Sequence, residues 1–201
     1  MKKAKKIVAL VLCAALLMAG TVAATLAYLS YTTAPVVNTF TVGQVVIDLD
    51  EAKVDVYGDK DGQTRVKANT YKLIPGHSYT KDPVVHVQSG SEVCWLFVKV
   101  EDEIATIQDA TTVVDQMAAN DWTLVAGQTN VYAYAEKVDA RKAAVDVPVF
   151  ESFKIKGDAN VADYNGKTIT VTAYAVQADT FATAADAWAA APSNWVASAQ
   201  N

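Results

Sequence analysis

The chain has 201 residues, of which 52% are hydrophobic and 19% charged, with a formal net charge of −5. That is enough apolar side chain to build one domain of ordinary size around a real core, and no second domain is required. The acidic balance disfavours nucleic acid and anionic membrane surfaces as partners.

Lys2, Lys3, Lys5 and Lys6 form a basic head, followed by an apolar run rich in Ala, Val and Leu from Ile7 to Gly20. A basic head, an apolar stretch and then a small-residue zone (Thr21 to Ala27) make an export signal helix over residues 1–28. The cut falls between Ala24 and Tyr28 and is placed after Ala27, making Ala27 and Tyr28 the cleavage residues. The competing reading keeps Ile7 to Leu29 uncut as a membrane anchor, since about 20 apolar residues suffice to span a bilayer. Removing the signal takes away four lysines and no acid, leaving 13 basic against 22 acidic residues, a balance of −9. Cys13 and Cys94 then lie on opposite sides of the cut, so no intramolecular disulfide is available. Cys13 lacks the small preceding residues of a lipid attachment site.

Residues 29–43 read as an N-terminal arm and first strand, and residues 44–201 as a β-sandwich domain with a C-terminal helix. From Val36 to Leu49 the alternation slips phase: Phe40 and Val42 share one face, while Val45, Ile47 and Leu49 share the other. A bulge at Gly43 accounts for the slip. Asp48 to Arg65 is a polar passage with a hairpin signal at residues 58–62, between Val54 and Val66. Its Asp-x-Asp-Gly fragment lacks the closing carboxylate of a calcium loop. In Leu73-Ile74-Pro75-Gly76, Pro75 presets φ and Gly76 accepts positive φ, which predicts a type II turn.

Val84 to Val87 makes a short strand, Ser89-Gly90-Ser91 a turn, and Val93 to Val100 a strong strand. Cys94, Leu96, Val98 and Val100 face one way and Val93, Trp95 and Phe97 the other, so both faces are apolar and the strand is central. Cys94 is read as a buried, inert thiol. Ala110 to Asn120 carries Val113, Val114, Met117 and Ala118 at helical spacing. Strands are expected at Trp122 to Val125, Thr129 to Lys137 and Val145 to Ile155, with Pro148 marking an edge or bulge. Asn165-Gly166 is a turn, Thr168 to Gln177 the closing strand, and Thr180 to Ala191 an Ala-rich helix packed down by Trp188 and Trp195. The sum is a mainly β fold, an antiparallel jelly-roll-like β-sandwich with two short helices.

Gly20-Thr21 before Ala27-Tyr28-Leu29-Ser30, Asn38 to Gly43, Leu73 to Gly76, Val87 to Ser91 and Thr172 to Gln177 together resemble the TasA/camelysin (CalY) family. These are exported proteins of Gram-positive bacteria whose signals are cut by a SipW-type signal peptidase. The resemblance implies a secreted jelly-roll subunit of extracellular, biofilm-matrix fibres. It would act in the matrix or at the cell surface, partnered by copies of itself, with the signal peptidase and the membrane met only during export. In this picture the arm adds as a strand to a neighbour, and Phe40, Val42, Gly43, Ile47 and Leu49 form the assembly strand. Against this stands the reading in which Val45 to Leu49 pair within their own sandwich. The rival functions are a monomeric surface adhesin and a camelysin-like metallopeptidase. For the latter, the chain offers His77 and His86 without an H-E-x-x-H motif, short of the three ligands and base a catalytic zinc needs. No catalytic residue, metal or cofactor is expected.

Overall fold

Ala, Leu and Val dominate the segment after the basic head, and with no proline to interrupt it the helix α1 runs over Lys2–Leu29. The structure, a computed structural model, describes residues 2–29, 38 and 42–192. It divides into two units, residues 1–41 and 42–201. Side chains from Lys2 to Met18 are exposed. Among the described residues no helix is long and apolar enough to cross a membrane.

The second unit is mainly antiparallel β. In chain order its strands are β1 (Ile47–Val54), β2 (Lys60–Val66), β3 (Ser78–Thr80), β4 (Val84–Val87), β5 (Cys94–Asp102), β6 (Trp122–Leu124), β7 (Val131–Tyr134), β8 (Val145–Pro148), β9 (Ser152–Lys154) and β10 (Ile169–Gln177). One sheet has the order β2-β1-β4-β8 and another β10-β5-β7-β6, while β3 and β9 form a small pair. The passages from β4 to β5 and from β7 to β8 cross between the two large sheets, so neither sheet is a simple meander. Val85, Val87 and Val147 of the first sheet share one core with Cys94, Leu96, Val98, Val100 and Tyr132 of the second. The arrangement is therefore a sandwich. Each fully buried aliphatic side chain in it contributes about 1.5–3 kcal/mol.

The two apolar faces of β5 explain its central place. Its even-numbered side chains enter the shared core, while Trp95 and Phe97 enter a second cluster with Val131, Tyr174, Ala187 and Trp188. That second cluster is roofed by α3 (Ala184–Ala189), whose N-cap Thr183 accepts from Asp186 N–H at 3.2 Å. Helix α2 (Val113–Ala119) starts at a capping box between Thr112 and Asp115 and buries Val113 and Met117, leaving Val114 exposed.

Several expectations are corrected. Residues 42–46 lie outside any strand and β1 runs over Ile47–Val54, so Asp48 to Val54 is ladder and not polar passage, while residues 36, 37 and 39–41 of the expected strand lie outside the described residues. No bulge forms at Gly43, which lies outside any strand. The ladder irregularity falls between Ala52 and Val54, where Asn69 Oδ1 accepts from Val54 N–H at 3.0 Å and Asn69 Nδ2 donates to Ala52 O at 2.9 Å. The hairpin turns at residues 55–59, with Gly58 at φ 83° and Asp55 Oδ1 accepting from Tyr57 and Asp59 N–H. The last helix is shorter than Thr180 to Ala191, and Trp195 lies outside the described residues.

Candidate functional site

A sheet that ends in solvent must protect its last strand, because a row of outward backbone groups templates pairing with another chain. Of the four outer strands of the two large sheets, three are protected by charge, proline or shortness. Strand β2 carries Lys60, Asp61, Gly62 and Arg65; β8 has four residues and contains Asp146 and Pro148; β6 has three residues. Strand β10 has none of these devices. Its nine residues, Ile169-Thr-Val-Thr-Ala-Tyr-Ala-Val-Gln177, include no charge, proline or glycine and are rich in β-branched side chains.

The register shows which backbone groups face outward. Ala178 N–H donates to Val93 O at 2.8 Å and Glu103 N–H to Thr168 O at 3.0 Å, so even-numbered residues of β10 bond to β5. The amides and carbonyls of Ile169, Val171, Ala173 and Ala175 therefore point away from β5. Among the described residues no strand pairs with that side.

Beside the first residues of β10 lies a cleft of about 920 Å³, whose walls include Leu49, Tyr71, Leu73, Phe153, Ile169 and Val171. Burial pushes the Tyr71 phenol far above its usual range, keeping it neutral, and its hydroxyl donates to Thr80 O at 3.0 Å. Lys67 and Lys167 at the rim are paired with Asp48 and Glu103. A mixed cleft beside an unprotected strand edge, apolar at Leu49, Leu73, Phe153, Ile169 and Val171 and polar at Asp50, Glu51, Asn69 and Lys81, can take up an extended segment with apolar side chains on alternate positions.

The chain matches no family model, no curated protein and no solved structure.

Of the expected assembly residues, Ile47 and Leu49 pair with Val87 and Val85 of their own sheet and pack on the core. They are not part of a free arm, and of the two readings of Val45 to Leu49 the pairing within the same sandwich is the one found. Val42 is 97% exposed. Gly43 runs so close to Glu92 that a Cβ there would approach Glu92 Cγ to 2.8 Å. Phe40 lies outside the described residues. Gln44 O accepts from Glu92 N–H at 2.9 Å, which fixes the point where the arm meets the domain. Pro75 and Gly76 form the expected turn, with Gly76 at φ 79° and His77 N–H donating to Ile74 O at 3.2 Å. Ala27 and Tyr28 fall within the backbone of α1.

The structure separates the two histidines. His77 Nε2–H donates to Tyr57 O at 2.8 Å. His86 lies between Asp146, at 2.7 Å from Nδ1, and Asp50, at 2.9 Å from Nε2. Burial lowers the His86 pKa, but the two carboxylates more than offset that and leave it raised above 6.5. Among the described residues no group of three or more His, Cys, Asp or Glu is placed to hold a metal. Cys94 is fully buried, and burial pushes its thiol up to about 11, so little thiolate forms near neutral pH.

Proposed function

We propose that the protein is a secreted structural subunit of extracellular fibres, of TasA/camelysin type, in which the arm freed by a signal peptidase pairs with the open edge of β10 in the next copy. The observation that carries this is the contrast between β10 and the three protected edges. The arm complements it in kind: residues 29–43 contain no charged side chain, and Val36, Phe40 and Val42 fall on one face of an extended segment. From Val36 to Val42 such a segment spans about 23 Å against about 30 Å for the nine residues of β10. Burying those three apolar side chains is worth roughly 5–9 kcal/mol before ordering costs.

Donor and acceptor are different surfaces, so the contact is heterologous and builds an open chain rather than a closed dimer. The uncut precursor, with its arm still joined to the signal, is unable to donate it. A chain beginning near Leu29 is expected to form filaments visible by negative-stain electron microscopy, and one beginning near Gln44 to stay monomeric by size-exclusion chromatography. Equal filament formation by both removes the arm from the mechanism. A persistent monomer from both favours a surface adhesin.

A further inference from the structure

Glu51 is buried, with its side chain 6% exposed, and each of its carboxylate oxygens holds a different reactive partner. Oε2 accepts from the Lys81 ammonium at 2.6 Å, and that lysine side chain is itself only 10% exposed. Oε1 accepts from the Asn69 amide nitrogen at 2.9 Å. The Asn69 carbonyl oxygen accepts from Val54 N–H at 3.0 Å. An amine, a carboxamide, a carboxylate touching both and a backbone donor on the amide oxygen are thus gathered on one wall of the cleft beside β10.

We infer that Lys81 and Asn69 join in an intramolecular isopeptide bond, with Glu51 as the catalytic proton carrier. Glu51 takes a proton from Lys81 Nζ, whose lone pair attacks Asn69 Cγ. The π electrons of the carbonyl move onto Oδ1, where Val54 N–H stabilises the developing negative charge. Glu51 then delivers the proton to Nδ2, the Cγ–Nδ2 bond breaks, and the carbonyl re-forms. The remaining surplus proton of Nζ also passes to the departing nitrogen, which leaves as ammonium. The product is a secondary amide between Nζ and Cγ, and atoms and charge balance without any oxidant or cofactor. Two features favour the reaction. Holding amine and amide on one carboxylate replaces a bimolecular encounter by an intramolecular one. Although the three residues stand on the wall of the cleft, the Glu51 and Lys81 side chains are only 6% and 10% exposed, which limits water as a competing nucleophile.

The bond would tie the segment following β2 to the residue following β3, around the Pro75-Gly76 turn. It is independent of the fibre reading and concerns a single copy. Mass spectrometry of the purified chain tests it, with a mass about 17 Da below that of the unmodified polypeptide expected for the loss of ammonia. Trypsin does not cut after an acylated lysine, so residues 68–72 and 73–99 should appear as one branched species. Lys81→Arg keeps a cation against Glu51 and should restore the unmodified mass, as should Asn69→Ala. Glu51→Gln should remain unlinked while still folded by near-ultraviolet circular dichroism; should it fail to fold, the Arg variant decides alone. Asn69→Asp should link with loss of water instead of ammonia. An unmodified mass in the wild-type chain, with residues 68–72 and 73–81 released separately by trypsin, overturns the inference.

Discussion

The two large sheets meet solvent in opposite ways. On the β2-β1-β4-β8 sheet, charged side chains tie neighbouring strands together: Arg65 to Asp50 and Asp82, Lys67 to Asp48, and His86 to Asp50 and Asp146. Its outermost strands are charged, or short and proline-ended. The β10-β5-β7-β6 sheet packs one face against the shared core and has α3 over the apolar half of the other, whose remaining half carries Thr170, Thr172 and the Lys99–Glu101 pair. Its outermost long strand carries nothing that discourages pairing. The first sheet ends in charged or short strands, whereas among the described residues no strand pairs with the outer side of β10. In the proposed fibre that edge is the directional point of attachment.

The largest expected effect breaks that contrast directly. Ala173→Pro places a proline where the amide points away from β5, so no ladder bond is lost inside the sheet while the outer side is blocked. Filament formation should fall below detection by electron microscopy while the thermal midpoint of the monomer shifts by only a few degrees. Next in size, Leu96→Ala in the shared core should cost about 2–5 kcal/mol in urea unfolding, since Leu96 is fully buried. A loss within 1 kcal/mol, judged against this range, would show that β5 is not the structural centre.

On the charged sheet the effects are smaller. Arg65 donates to Asp50 O at 3.1 Å and Asp82 O at 3.0 Å as well as to the Asp50 carboxylate. Removing it with Arg65→Ala should cost about 1–2 kcal/mol, part of it screened by salt. The smallest effect is a pH dependence. His86 has a pKa raised above 6.5 in the folded state, so its stabilisation is complete below about 6.5 and is lost as pH rises through the folded value. Unfolding midpoints of the wild type should decline over that alkaline limb, and His86→Gln should flatten the decline. An unchanged slope would place the titration elsewhere.

Much of the fold was legible because burial imprints itself on alternation. The even and odd positions from Val93 to Val100 name two cores, and both exist. The helical spacing of Val113 and Met117 and the Pro75-Gly76 turn are local patterns and were equally readable, whereas the Thr112–Asp115 capping box emerged only with the structure. The start of β1 was not. Residues 44–46 are held by Gln88, Ser91 and Glu92 rather than by a ladder, and no local pattern reveals a tertiary partner more than 40 residues away. Asp48 and Asp50 suggested a loop, yet they are the outward half of an alternation with Ile47 and Leu49.

The candidate edge was half legible. The nine uncharged residues of β10 were in view, but their exposure depends on strand order, which composition does not encode. The grouping of Glu51, Asn69 and Lys81 required the folded chain, since three separate elements bring them together.

The pairing of β5 with β10 joins residues 67 to 83 positions apart, from Ile169 with Asp102 to Gln177 with Cys94. Contacts of such long range form late and slowly. The greasiest strand of the molecule therefore waits for the far end of the polypeptide before one flank is covered. Shortened forms that stop ahead of Ile169 should leave that flank bare and precipitate, whatever the fate of the remainder.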